Sequence, residues 1–116
     1  MAEATLRSGD PETIPYTPGA DVDEGEVLLL GNTAGICLGV AQRPIANGVL
    51  GALAYRGGQW AVVNLNNAAD YAKVWWDNSA KKITTVSTNN ALFGFIADGG
   101  GGGANSTAYA ALEPLV

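Results

Sequence analysis

KVWWDNSAKKITTVSTNNALFGFIAD, residues Lys73 to Asp98, decides the fold class of this 116-residue chain. A short apolar run, Lys73 to Trp76, meets a polar turn from Asp77 to Lys81. An alternating run follows, Lys82-Ile83-Thr84-Thr85-Val86, and then a second polar break, Ser87-Thr88-Asn89-Asn90. Ala91 to Ala97 closes the stretch. β-Branched and aromatic residues fill the runs, and Asn, Asp and Ser separate them, which is the pattern of strand, turn, strand, loop, strand. Adjacent residues of a strand point to opposite faces, so Trp75 and Trp76 divide between two surfaces. One belongs in the core and the other at a subunit contact, where tryptophan is enriched.

The same punctuation runs outward on both sides. Val27 to Leu30 ends at Gly31-Asn32, and Ala34 to Ala41 ends at Gln42-Arg43-Pro44. Asn47-Gly48 is a strong turn pair ahead of Val49 to Tyr55. Gln59 to Asn64 reads as the hairpin partner of that run across Gly57-Gly58. Breaks recur roughly every 8 to 12 residues, the spacing of a small sandwich or barrel. Asn66 to Ala72 is the one plausible helical turn, a connector with Asn66 or Asn67 as N-cap. Thr107 to Leu112 reads as a closing strand ended by Pro114, and Gly99 to Gly103 as a flexible loop before it. The prediction is an all-β fold: a small antiparallel β-barrel or β-sandwich over residues 22–116, preceded by an extended N-terminal arm over residues 1–21. Pro11, Pro15 and Pro18 forbid a helix in that arm. Ile14 and Tyr16 share one side of it and can pin it to a sheet, and the section reads either as a frayed terminus or as an arm that orders on a neighbouring subunit. Several runs are apolar on consecutive residues, which means burial on both faces, by this chain or by another.

Composition narrows the function. Charged residues make up 15% of the chain and the net charge is −5. There is no basic stripe for nucleic acid, and anionic membrane surfaces are disfavoured for the same reason. The chain holds no histidine and a single cysteine, Cys37, which reads as a small buried hydrophobe and excludes an internal disulfide. No cofactor is implied, and metal ligands of the Cys/His type are missing. Asp21, Asp23, Glu24 and Glu26 cluster without the spacing of a Ca²⁺ loop, so they read as a solvated turn. The glycine run ends in Ala104-Asn105 where a phosphate-binding loop needs Gly-Lys-Ser/Thr. No nucleophile has a base beside it in a recognisable pattern, so no catalytic residue is assigned.

The order of these segments resembles the DUF2190-type capsid decoration (cement) proteins of tailed bacteriophages. Val74-Trp75-Trp76-Asp77 followed by Lys81-Lys82-Ile83-Thr84 looks like the family's V-Y-W-D-x-x-x-k-k-v-T. Val22 to Leu28 looks like its v-x-a-G-d-x-V lead-in to the barrel, and Gly35 to Ala41 like its G-v-a strand. Gln59 to Val63 resembles the strand ending G-v-f-x-l-p, and Leu92 to Ala97 its x-i-G-v-a strand. Trp75 stands where tyrosine is common, Ala72-Lys73 where the family has Gly-Asp, and the pentaglycine is unusual. The resemblance implies a non-enzymatic protein made in a host cytoplasm and carried on the outer surface of a phage head. Its implied partners are the major capsid protein and itself, as a homotrimer at three-fold or quasi-three-fold positions. Ile14, Pro15, Tyr16, Pro18, Trp75 and Trp76 are the candidate contact residues. The alternative function is a carbohydrate-binding β-barrel in which Trp60, Trp75 or Trp76 stacks on a sugar.

Overall fold

The computed structural model describes residues 3–30 and 37–113. The Gly31-Asn32 turn, the first residues of the Ala34–Ala41 run, the side chain of Cys37 and the closing Pro114 lie outside the described residues. The strands are β1 (Thr5–Ser8), β2 (Glu12–Tyr16), β3 (Val27–Leu30), β4 (Cys37–Val40), β5 (Gly51–Arg56), β6 (Gln59–Asn64), β7 (Lys73–Asp77), β8 (Lys82–Thr84), β9 (Ala91–Asp98) and β10 (Ser106–Leu112). They form two sheets, one in the order β1-β6-β10-β9-β7-β8 and one in the order β2-β5-β4-β3. The all-β antiparallel prediction holds. A single parallel bridge between β6 and β8, Asn64 to Ile83, closes five strands of the first sheet into a ring.

The deciding stretch supplies three strands of that ring. β7 lies between β8 and β9, with Trp76 opposite both Ile83 and Ala91. Its turn is specified by side chains. Asp77 Oδ1 accepts from the backbone N–H groups of Ser79 and Ala80, each at 3.0 Å, and Lys81 N–H donates to Asp77 C=O at 2.8 Å. Trp76 Nε1–H donates to Asn78 Oδ1 at 3.2 Å, which ties the turn to the core. β9 must feed both Phe93 and Ile96 inward, and a period of two cannot do that. A register shift opposite Val74 and Trp75 supplies the extra residue. Gly94 beside it comes so close to β10 that a Cβ would lie 2.0 Å from the Ala111 carbonyl oxygen.

The main core lines this ring. Trp60, Val62, Val74, Trp76, Ile83, Phe93, Ile96 and Leu112 are buried there, and Val27, Leu38, Val40 and Ala54 join them from one face of the second sheet. Trp76 and Phe93 meet with ring centroids 6.3 Å apart. The opposite face of the second sheet carries a smaller cluster of Val22, Ala41, Ile45 and Leu53, against which Ile14, Tyr16, Leu28 and Leu30 pack. The consecutive apolar residues of β3 and β5 thus serve two cores, one on each side of the same sheet.

Three expectations change. Gln59–Asn64 is not the hairpin partner of the preceding run. β5 pairs with β2 and β4, whereas β6 pairs with β1, β10 and β8. Gly57 and Gly58 have φ of 89° and 80°, and this glycine pair turns the chain from one sheet to the other. The 66–72 connector contains turns and no helical turn, and the Asn66 side chain contacts Thr84 Oγ1 and accepts from Thr85 N–H instead of capping a helix. The first section is extended, as its prolines require, and it lies on sheets of its own chain, β1 along β6 and β2 along β5. Arg7 anchors it further, donating to Asp98 at 3.1 Å and lying 3.8 Å over the Tyr109 ring.

Candidate interaction surface

Among the described residues, no group of three or more His, Cys, Asp or Glu side chains converges on a metal position. The one resolved shift in acidity belongs to exposed Asp98. The hydrogen bond from Arg7 holds its carboxyl below the usual carboxylate range, with the Gly99 N–H adding to the effect.

The predicted contact residues separate. Trp76 is fully buried, and Trp75 is half-buried on the other side of β7. Ile14 and Tyr16 do share a side of β2, and that side packs on the chain's own smaller core. Pro15 points away from it and is exposed, on the edge strand β2. Proline has no N–H to offer a further strand, so this edge is blunted. Pro18 is buried, and its carbonyl accepts from Gly48 N–H at 2.9 Å. The structure brings Ile14, Tyr16 and Pro18 to one side of the molecule and leaves Trp75 and Trp76 on the ring.

Four large apolar side chains that sequence reading passed over are the exposed ones: Val49 at 53%, Leu50 at 70%, Tyr71 at 79% and Val86 at 51%. Val49 and Leu50 are neighbours on the connection that covers the outer face of the second sheet. That connection is held by a two-way bridge between Val22 and Ile45, at 2.8 and 2.9 Å. Tyr71 sits at φ 68°, a conformation costly for a bulky side chain, fixed by its N–H donating to Ile96 C=O at 2.7 Å.

The glycine run is built into the fold. Gly100 N–H donates to Asp70 Oδ1 and Gly103 N–H to Asn67 Oδ1, both at 2.8 Å, and Gly101 N–H donates to Ala68 C=O at 2.9 Å. The expectation of a flexible loop meets a segment bonded at several points to the 67–70 turn. Gly100 lies against that turn so closely that a Cβ would be 2.4 Å from Asp70 N.

Comparison with known families adds the decisive observation. The phage cement protein family matches residues 7–111, which takes in nearly every strand described above. The chain belongs to the phage cement protein family. Membership associates it with the phage capsid as a structural component. No curated protein and no solved structure matches the chain. The stretch around Trp75, Trp76 and Asp77 on which the resemblance leaned falls inside the match, on the strand and turn that carry the ring.

Proposed function

We propose that this cement-family chain is a non-enzymatic decoration protein. It binds the outer surface of the major capsid protein lattice and stabilises the head, with copies associating as homotrimers at three-fold or quasi-three-fold positions. The observation that carries this reading is the family match over residues 7–111. The exposed apolar side chains support it, since large aliphatic and aromatic groups held in water are marks of contact surfaces. Of the predicted contact residues, Pro15 is exposed and Ile14, Tyr16 and Trp75 are half-buried, so these four have surface to offer. Many copies on one lattice give high total avidity from modest single contacts.

The test is addition of the purified chain to heads that lack it. Co-sedimentation, and a higher temperature of DNA release from the decorated heads, are expected. Heads that neither retain the chain nor gain heat resistance would refute the reading. Truncating the N-terminal section is unsuited to this purpose, because β1 and β2 belong to the chain's own sheets.

A further inference from the structure

Val49 and Leu50 stand at the tip of the connection between β4 and β5. Loop tips are ordinarily built from Gly, Pro, Asn, Asp and Ser, which suit water and tight turns. Here the turn residues Asn47 and Gly48 are followed by two aliphatic side chains that are 53% and 70% exposed. The tip is also rigidly supported. Asn47 N–H donates to Asp21 Oδ1 at 2.8 Å, Gly48 N–H to Pro18 C=O at 2.9 Å, and Val49 N–H to Ala46 C=O at 3.0 Å. The Val22–Ile45 bridge fixes the base of the same loop. Holding an apolar tip this way prepays the ordering cost of binding, the usual gain from preorganisation.

Beside the tip is a cavity of about 500 Å³, walled by Arg43, Ile45, Val49, Leu50 and Gly51 among others. Ile45 lies directly on Gly51, where a Cβ would come within 2.8 Å of its Cδ1, so this wall is set. Asp21, Asp23 and Glu24, all exposed, flank Val22 at the Val22–Ile45 bridge. Both ion pairs found among the described residues, Arg7–Asp98 and Arg56–Glu113, lie elsewhere. Arg43 is the one charged residue in the cavity wall, and these three carboxylates lie outside it on the segment bridged to Ile45, on a chain whose net charge is −5.

We propose that the Val49–Leu50 tip and its cavity are the docking site for the capsid lattice, which contributes an apolar side chain flanked by lysine or arginine. The apolar group enters the cavity against Ile45 and Leu50, and the basic groups meet Asp21, Asp23 and Glu24. A second copy of this chain is the poorer occupant, because it would bring an acidic molecule against Asp21, Asp23 and Glu24 beside the cavity, and like charges across a contact oppose it. The inference rests on the decoration reading and names the surface and chemistry that would carry it.

The experiment titrates the full chain onto heads that lack it and compares Leu50→Asp with the double variant Asp23→Asn/Glu24→Gln. Tryptophan fluorescence melting monitors the fold of each. Neither change touches a buried group, so melting temperatures should stay at the wild-type value. Leu50→Asp is expected to weaken head binding by about tenfold or more, the loss that follows from leaving a leucine's worth of apolar contact unmade. The double variant is expected to weaken binding severalfold at low ionic strength, with the difference fading by about 0.5 M salt. If wild type binds heads and both variants bind equally well, the docking site lies elsewhere while the decoration reading stands. If wild type does not bind heads, both readings fall. If Leu50→Asp instead dissolves an oligomer of the free chain, seen by sedimentation velocity, a second copy is the occupant and the proposal is overturned.

Discussion

One buried side chain stands where the ring closes, and removing it gives a sharp test. Asn64 is fully buried at the end of β6, beside its bridge to Ile83. Its Nδ2–H donates to Ala68 C=O and its Oδ1 accepts from Ala68 N–H, both at 2.9 Å. Its own carbonyl accepts from Asn105 N–H at 2.7 Å, so the 65–72 loop and the β9–β10 loop meet on one residue. Asn64→Leu leaves the Ala68 N–H buried without a partner, while the Ala68 C=O keeps the bond from Gly101 N–H at 2.9 Å. At about 1–3 kcal/mol for an orphaned buried group, the cost is about 1–3 kcal/mol. For a chain of 116 residues this corresponds to a fall of about 4–12 °C in melting temperature. Asn64→Asp refines the test. A neutral carboxylic acid can still donate to Ala68 C=O and accept from its N–H, whereas a carboxylate turns a charge toward the Ala68 oxygen. Burial raises the pKa of this new acid, so its penalty is small below the ordinary aspartate value of about 3.9 and grows as pH rises above it. Denaturant melts of wild type and both variants at acid and neutral pH measure this. A leucine variant within about 0.5 kcal/mol of wild type would refute the closure argument. So would an aspartate variant whose deficit is the same at both pH values.

Three further outcomes are expected. Trp76→Ala should cost about 3–5 kcal/mol of stability by chemical denaturation, whereas Trp75→Ala should cost far less and alter head binding more than folding; equal destabilisation by the two would refute the division of faces. Gly100→Ala should destabilise by about 1–3 kcal/mol, because its Cβ would lie 2.4 Å from Asp70 N, while Gly102→Ala, with Ser106 Oγ as nearest atom at 3.5 Å, should be near neutral; a loop without fixed contacts would tolerate both alike. Asp98 has its folded-state pKa lowered by Arg7, so the stability it contributes is present above its ordinary value of 3.8 and is lost as pH falls below that; acid titration of Asp98→Asn should lack this component, and an acid melt identical to wild type would remove the Arg7–Asp98 pair from the account.

The parts of the fold that could be read from the sequence are those fixed by local chemistry. β7, its Asx turn and β8 follow from Val74-Trp75-Trp76, Asp77-Asn78-Ser79 and Ile83-Thr84, because every contact that shapes the turn lies within five residues of Asp77. Pairing over long distances was not legible. Nothing near Gly57-Gly58 states that the next strand joins the other sheet, since a glycine pair serves a hairpin and a corner equally well. The same holds for Gly99–Gly103. Five glycines read as freedom when their neighbours in sequence are considered, and as close approach once the 67–70 turn is found against them.

The contact surface was illegible for a related reason. Val49-Leu50-Gly51-Ala52-Leu53 is one apolar run, and the natural assignment makes all of it strand. Pairing begins only at Gly51, which lies opposite Tyr16. Those two residues of difference move Val49 and Leu50 from a ladder to the tip of a loop. The wider signal, apolar residues on consecutive positions of β3 and β5, had two explanations: cover by the same chain or cover by another. The structure assigns Leu53 to the first, since Ile45, Val22 and Ala41 bury it completely. It leaves Leu28 and Leu30 half-buried on the same face and Leu50 in water. A polar side chain at position 50 would leave every packed group of the second sheet in place. Leu50 is therefore free to serve a contact outside the fold, which is the role the proposed docking site gives it beside the cavity.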